Sequence, residues 1–432
     1  MPHPASTQCH IAETHKSRLL SMIPLEILEH ILLFCHPHDV ARFSTTSRFT
    51  GDLVHRSADQ YFWRQLFLVV FDDPRHAIRP FRTNSDPSES SFNWKGELVR
   101  RMKAERAAFT DTGDHESALQ TFASVAEEAL PVSRASDDPP ASRNLQWLEN
   151  ILRDSRILVA SFAQSEAQDK FKTYMALSLQ KADDEVDIPI IRTLSRCRVY
   201  DLRNYGPETS WGPYLLGGGV NWTHMESIVN VVTTNIWEQI PHDVPRPPVG
   251  LQAIRAHSAP GDYTGLDWAG VEGTWRRYVC FMDYRDLFAF NFTGSRHGPR
   301  DPAFFADEEF REATRLMELD LHIIPRDELK VRFPYGDPPL NAHPDYETLY
   351  FSGTSRGASS GQQAMVQGYV HMGNDYVPRW RLTSIHGGQP QWISEGAQIG
   401  SVGSAIGVAG NWSAFDHEDG DPVGPFWLWK CS

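Results

Sequence analysis

The first part of the chain repeats its apolar residues at helical spacing. Six of them follow the i, i+3, i+4, i+7 pattern of one amphipathic helix: Leu25, Ile27, Leu28, Ile31, Leu32 and Phe34. Pro24 stands where this helix begins, because a proline in the first turn loses no hydrogen bond. Residues 36–39 (His-Pro-His-Asp) break the helix, and Asp39 is suited to cap a second one. A third helix is predicted to follow Ser47 and to end near residues 63–66.

Helical spacing continues beyond this segment to about residue 240. The predicted helices span residues 93–109, 116–130, 145–162, 169–179 and 222–237. Residues 72–91 are rich in proline, serine and aspartate and are predicted to form a loop, while residues 131–142 have the composition of a flexible linker. The proline-rich run 241–248 is typical of a domain boundary.

After about residue 262, apolar and polar residues alternate in short runs. Glycine, proline and Asp-Gly turns separate seven such runs: 273–281, 287–292, 315–324, 347–352, 364–372, 379–386 and 426–429. In the run 379–386, alternation places Trp380, Leu382 and Ser384 on one face of a strand. Repeated at regular intervals, this pattern predicts an antiparallel β-sandwich or β-barrel.

Together these patterns predict an α+β protein whose helical front half is joined to an antiparallel β domain. Residues 1–18 are polar and are predicted to be a disordered tail. A compact helical unit covers residues 19–70, and a helical connector with its flexible linker near 131–142 covers residues 71–250. The β domain covers residues 262–432.

Length and charge narrow the possible functions. A chain of 432 residues is long enough for two or three domains, and its formal net charge of −14 disfavours a general nucleic-acid binder. The N-terminus is polar, and no apolar run approaches the roughly 20 residues that a bilayer requires. We therefore expect a soluble protein of the cytoplasm, the nucleus or both, with neither nucleic acid nor membrane as a partner.

Candidate chemistry is scarce. The five cysteines are Cys9, Cys35, Cys197, Cys280 and Cys431. They are scattered and include no C-x-x-C pair, which predicts reduced thiols rather than disulfides or a zinc site. The motifs of zinc proteases, phosphate-binding loops and nucleophile elbows are absent. His36 and His38 are interpreted as a solvated turn, and residues 417–421 lack the spacing of a calcium loop. No catalytic residue, metal or cofactor is predicted.

The order of residues in the N-terminal helical unit resembles the F-box. Ile-Pro-x-Glu-Ile-Leu, a His/Pro/Asp turn, Asp-Val, Ser-x-x-Ser-Arg and Trp-Arg-x-Leu follow one another as they do in that domain. Its characteristic positions are held by Pro24, Glu26, Ile27, Leu28, Ile31, Leu32, Asp39, Val40, Ser47, Arg48 and Trp63. One departure is Thr-Thr-Ser at residues 45–47, which replaces the more usual Val-Cys or Val-Ser and so removes an apolar side chain. The resemblance assigns residues 19–70 to an F-box.

An F-box implies docking on the Skp-type adaptor and cullin of a Skp–cullin–F-box ubiquitin ligase. The residues expected at the adaptor contact are Pro24, Leu25, Ile27, Leu28, Ile31, Leu32, Val40, Phe43, Ser47 and Trp63. A unit of this size has more apolar side chains than one interior can cover, which favours a partner. By periodicity alone, the same stripe also fits a plain helical hairpin whose leucines and isoleucines form its core.

The second half is similar to fungal F-box proteins with a helical middle and a closing β domain. The likeness rests on residues 268–292 and on Gly-Pro-Phe-Trp-Leu-Trp-Lys at residues 424–430. It implies a non-catalytic subunit whose β domain holds an unknown protein substrate. Trp380, Trp392 and Trp412 are the candidate substrate-binding residues, provided that they lie at a rim of the domain.

A second hypothesis concerns a small ligand. Gly273-x-Trp275 on the first predicted strand resembles the signature of lipocalin-like barrels, in which the tryptophan plugs one end. A lipocalin-like or lectin-like barrel coupled to an F-box would bind a small apolar molecule or a glycan. The alternative is that the tryptophans are simply packed core. A hydrolase in the β domain has only scattered histidines in its favour.

Overall fold

The computed structural model describes most of the chain. It covers residues 20, 22–55, 60–78, 92–133, 140–155, 157–158, 165–175, 187–261, 263, 266–293, 298–307, 310–334, 343, 345–358, 361–418 and 420–432. The predicted tail 1–18 lies outside these residues. So do residues 79–91 of the predicted loop and residues 134–139 of the predicted linker.

Eleven α-helices lie in the described part of the chain. They are α1 (Leu25–Leu32), α2 (Pro37–Ser44), α3 (Arg48–His55), α4 (Tyr61–Val70), α5 (Trp94–Ala108), α6 (His115–Glu127), α7 (Arg143–Asp154), α8 (Glu166–Met175), α9 (Asp187–Val199), α10 (Trp222–Gln239) and α11 (Tyr284–Phe292). Within the described residues, the predicted helices of the connector are confirmed as α5, α6, α7, α8 and α10, and α9 was not predicted. Residues 159–162 and 176–179 of two predicted helices lie outside the described residues. The single third helix predicted for the N-terminal unit is instead two helices, α3 and α4.

Side-chain caps determine where four helices of the connector begin. Asn93, Asp114, Ser142 and Asn221 directly precede α5, α6, α7 and α10. Each accepts, through a side-chain oxygen, a hydrogen bond from the backbone N–H three residues further on. The caps satisfy donors that the first turn of a helix leaves without an intrahelical partner.

Eight antiparallel strands form a closed barrel in the second half. They are β1 (Gly273–Met282), β2 (Glu312–Ile324), β3 (Leu349–Gly357), β4 (Gln363–Met372), β5 (Pro378–His386), β6 (Gln389–Gln398), β7 (Val408–Ala414) and β8 (Val423–Lys430). Each strand pairs with the next along the chain, and β8 pairs back with β1. The predicted α+β class and the predicted antiparallel barrel are confirmed.

One predicted strand is wrong. The run 287–292 lies in helix α11, which begins after Asp283 and is capped by its carboxylate. The buried residues of α11 are Leu287, Phe290 and Asn291, which have the i, i+3, i+4 spacing of a helix. A run of six residues is too short for its apolar pattern to distinguish this spacing from the alternation of a strand.

Strand β8 is buried on both faces and joins the two halves of the molecule. Phe426 and Leu428 belong to the apolar cluster inside the barrel. Trp427 and Trp429 point outward and belong to the same core as Met225 of α10. The helical connector and the outer wall of the barrel therefore share one continuous apolar core.

The segment before β1 closes one end of the barrel. The Asp267 carboxylate accepts a hydrogen bond from the Val271 N–H at 2.7 Å. The Trp275 indole N–H donates to the Val271 carbonyl at 2.8 Å, and the Lys430 ammonium donates to the Gly270 carbonyl at 3.0 Å. Val271 is fully buried in the interior cluster, so this end of the barrel is filled by protein.

Candidate functional site

Helix α1 presents an apolar surface to solvent. Leu25, Ile27 and Ile31 are 52, 51 and 50% exposed, and Met22 and Phe34, just before and after the helix, are 79 and 81% exposed. We call these five residues the α1 face. Monomeric proteins bury most large apolar side chains, so a contiguous exposed set of this kind is typical of a binding surface.

The opposite side of α1 belongs to the chain's own interior. Leu28 and Leu32 are buried, as are Val40 of α2 and Trp63 of α4. Leu32, Val40 and Trp63 lie in the main core, where they hold the helices of this unit together. These four side chains, predicted to bury themselves against the adaptor, are instead buried by their own chain. Because positions i and i+4 of a helix share a face, Leu28 and Leu32 turn inward together.

The remaining predicted contact residues have different surroundings. Pro24 is exposed at the start of α1, and Phe43 is half-buried against the core. The Ser47 hydroxyl accepts a hydrogen bond from the Thr50 N–H at 3.2 Å at the start of α3. Ser47 thus has a local structural role, although it is exposed. The prediction omitted Met22 and Phe34; the continued helical spacing of Phe34 was the available signal.

A buried charge network fixes the N-terminal unit to the connector. The guanidinium of Arg101 on α5 lies 4.7 and 4.6 Å from the rings of Phe67 and Phe71. It donates to Glu97 at 2.8 Å and to Glu128. Burial raises the pKa of Glu128, whereas for Glu97 the effect of burial is outweighed by the neighbouring arginines, and its pKa is lowered. Removing Arg101 would leave Glu128 without its buried cation, whereas Glu97 would keep its ion pair with Arg100 at 2.7 Å.

Aromatic side chains lie at the end of the barrel opposite the closed one. The rings of Trp392 and Trp412 are 5.3 Å apart, and Phe281 lies 6.4 Å from Trp412. The Arg315 guanidinium is 4.9 Å from the Phe281 ring. We call Phe281, Arg315, Trp392 and Trp412 the barrel mouth. Gly424 is required there, since a Cβ at this position would lie 2.8 Å from the Trp412 indole nitrogen.

One guanidinium lies deeper in the barrel, below the mouth. Arg277 of β1 is buried, and its Nη2 donates to the Ser394 hydroxyl of β6 at 2.8 Å. Its charge lies 4.7 Å from the Phe426 ring, and its Nε has no hydrogen-bond partner. Burial lowers the pKa of Arg277 to about 9. Within the described residues, no carboxylate forms an ion pair with it.

The three tryptophans predicted to bind substrate do not share one environment. Trp392, 37% exposed, and Trp412 lie together at the mouth. Trp380 is 1% exposed and packs inside the barrel, with ring centroids 5.1 Å from Trp275 and 5.8 Å from Phe351. Trp380 is therefore a core residue and not a surface contact. The alternating pattern predicts that Trp380 and Leu382 share one face of the strand, but it does not indicate that this face points into the barrel.

A cleft of about 650 Å³ lies between α9, α10 and the start of β2. Its central charges already have partners: Arg196 is 2.6 Å from Glu312, and Arg192 is 2.8 Å from Glu238. Ion pairs of this kind leave little net charge to recognise a ligand, so the cleft is the weaker candidate.

The described part of the chain shows no sign of a metal site, a membrane-spanning helix or an activated thiol. No group of three or more His, Cys, Asp or Glu side chains there is arranged to hold a metal ion. Among the described helices, none has both the length and the apolarity to span a bilayer. Burial raises the pKa of Cys197 to about 11 and of Cys280 to about 12, and it also raises the pKa of Cys431. These thiols are protonated at neutral pH and lack nucleophilic activation.

Comparison with known proteins identifies the N-terminal unit. The F-box domain model matches residues 20–58, which include α1, α2 and α3. The chain therefore contains an F-box domain, the type of module that binds Skp-type adaptors in Skp–cullin–F-box ligases. No curated protein and no solved structure matches the chain.

Proposed function

We propose that the protein is the substrate-recognition adaptor of a Skp–cullin–F-box ubiquitin ligase. The observation that carries this proposal is an F-box domain whose first helix leaves the α1 face in solvent. Exposure of these apolar side chains to water is unfavourable for the isolated chain, whereas an apolar groove on a Skp-type adaptor would cover them.

Docking of α1 has a simple energetic basis. Ile27, Ile31 and Phe34 lie one helical turn apart along one side, so a single groove can receive all three. Each apolar side chain transferred from water to such a groove contributes about 1.5–3 kcal/mol before the cost of association. Because Leu28 and Leu32 are buried internally, the helix docks without unfolding its own support.

In this role the chain forms and breaks no bond. The Arg101 network ties the F-box to the connector, and the connector shares its core with the barrel. A target protein held at the barrel would therefore be kept at a defined position relative to the ligase, which raises the effective concentration of its lysines. The cytoplasm or the nucleus is the proposed location.

Charge substitutions on the α1 face test the adaptor role. Ile27→Asp combined with Ile31→Asp places two charges on the proposed contact without touching the core. Co-expressed with a Skp-type adaptor and a cullin, the unaltered chain should co-purify both, and the double variant neither. The melting temperature of the purified double variant should remain close to that of the unaltered chain.

The matched control is Val99→Asp on α5. Val99 is also an exposed, branched apolar residue on a helix, but it lies outside residues 20–58. This variant should still co-purify the adaptor. Full retention of the adaptor by the Ile27/Ile31 double variant would contradict the proposed docking surface. Deletion of residues 1–70 is a poorer test, because it removes Phe67 from the Arg101 site.

A further inference from the structure

Arg277 differs from the other buried arginines in what surrounds its charge. Arg101, Arg196 and Arg379 each form an ion pair with at least one carboxylate. Arg255 donates to the backbone carbonyls of residues 130, 131 and 140. Arg277 has one serine hydroxyl and an aromatic ring, and its Nε is unsatisfied. A buried guanidinium without an anion is costly, and such a cost is commonly tolerated at functional sites.

The interior of the barrel is accessible from the mouth. Val279 and Phe281 follow Arg277 on the inward face of β1, and both are partly exposed although they point into the barrel. Met317, the neighbour of Arg277 on β2, is also partly exposed. Solvent that reaches these inward-facing side chains must enter from the mouth, since the other end is filled. Arg277 lies two residues deeper along β1 than Val279.

The chemistry of this site selects a particular kind of ligand. A carboxylate can accept two parallel hydrogen bonds from one edge of a guanidinium, and the Nε of Arg277 is available for one of them. One guanidinium matches one negative charge. Trp392 and Trp412 above it offer apolar ring surface to the rest of the molecule. A neutral sugar would leave the charge of Arg277 uncompensated.

We infer that the barrel mouth binds a small molecule in which a carboxylate is joined to an apolar chain or ring, with the carboxylate paired to Arg277 and the apolar part packed against the paired rings of Trp392 and Trp412. Arg315 at the rim adds a positive charge that attracts such an anion. This inference concerns the barrel alone and does not depend on docking of the F-box.

Titration of the full chain with dodecanoate, followed by calorimetry and tryptophan fluorescence, tests the inference. Dodecanol, which has the same chain without the charge, is the ligand control. We expect dodecanoate to bind at least about tenfold more tightly than dodecanol, as the loss of a charge-assisted hydrogen bond predicts. The fluorescence change should diminish in a Trp392→Ala variant.

Arg277→Met removes the charge and keeps an apolar side chain of similar length. Its affinity for dodecanoate should fall at least about tenfold, to that of dodecanol. The matched control is Arg356→Met on the outer face of β3, which should bind as the unaltered chain does. Equal affinity of the Arg277→Met variant and the unaltered chain for dodecanoate would overturn the inference.

A peptide pair separates two sources of the carboxylate. Short apolar peptides with a free or an amidated C-terminus present the same chain end with and without its charge. Failure of dodecanoate to bind, with Arg277-dependent binding of the free-acid peptide, would overturn the small-molecule assignment in favour of a protein C-terminus. Binding of neither probe would overturn both. Co-purification of the Skp-type adaptor by the Arg277→Met variant shows separately whether the F-box still works.

Discussion

The two ends of the molecule leave different groups unsatisfied. At the F-box end, the α1 face holds large apolar side chains in water. At the barrel end, Arg277 holds a charge away from water, and Ser394 is its only hydrogen-bond partner among the described residues. Both arrangements are unfavourable for the isolated chain, but opposite partners would relieve them: an apolar groove in the first case and an anion in the second.

The connector between these ends satisfies its buried charges internally. Arg101 is paired with Glu97 and Glu128, and Arg196 with Glu312. A group without a favourable partner therefore indicates a binding site better than burial or exposure alone does. It marks the places where binding of another molecule would relieve an unfavourable arrangement of the isolated chain.

The largest expected effect comes from the paired arginine at the junction of the F-box and the connector. Arg101→Met should lower the free energy of unfolding by about 3–5 kcal/mol, because Glu128 loses its buried cation and Glu97 keeps only Arg100. Denaturation in urea measures this change. Arg42→Met is the control, since the Arg42–Asp39 pair is exposed and should contribute less than about 1 kcal/mol. Equal losses in both variants would show that burial of the Arg101 network contributes little.

A smaller, pH-dependent effect is expected at His224, where the connector begins α10. Burial lowers the pKa of His224 to about 3, so this histidine remains neutral in the folded chain. Below about pH 6.5, the pKa of a histidine in the unfolded chain, the unfolded chain binds a proton at His224 and the folded chain does not. The stabilisation is therefore complete above about pH 6.5 and is lost as the pH falls, by about 2 kcal/mol at pH 5.

His224→Gln isolates this contribution. The Tyr205 hydroxyl donates to the Val199 carbonyl at 2.6 Å, so the His224 Nε2 at 3.0 Å must donate to Tyr205, and a glutamine amide can replace that donor. Urea denaturation at pH 7 and pH 5 should show a shallower loss of stability in this variant than in the unaltered chain. Parallel curves would mean that His224 does not cause the acid sensitivity.

The smallest effect on stability is expected at the unpaired arginine. Arg277→Met removes a buried charge that has no counter-charge, so the free energy of unfolding should stay the same or rise by about 1 kcal/mol. Thermal unfolding without ligand measures the change. A loss as large as that of Arg101→Met would indicate that an anion supplied by the chain itself neutralises Arg277.

The sequence alone was sufficient to identify the F-box and to predict that the second half is an antiparallel β domain. The motif order is local, so about fifty residues sufficed to identify it. Alternation in the run 379–386 correctly placed Trp380 and Leu382 on one face of a strand, and in the structure this face lies inside the barrel. Strands β6 and β7 were missed because Gly396 and Gly410 pair with each other and interrupt the apolar pattern. A Cβ on Gly396 would lie 2.8 Å from the Phe426 ring, so close packing requires the small residue.

The candidate sites required three-dimensional information. The local sequence does not distinguish Ile27, which faces solvent, from Leu28, which faces the core, because both belong to one apolar stripe. Arg277 appears in the sequence as one polar residue in an alternating run. Its partner Ser394 is 117 residues away along the chain, and its lack of a carboxylate partner depends on every strand that surrounds it.

The closed barrel also restricts how a target can be held. All eight strands pair on both sides, so the sheet has no free edge with unpaired backbone groups. A peptide from a target cannot join this sheet as an additional strand, which is a common way for β domains to capture extended segments. In the proposed adaptor role, recognition would instead use side chains at the mouth and the loops between strands. Selectivity for a target would then reside in a few residues that can change without disturbing the barrel wall.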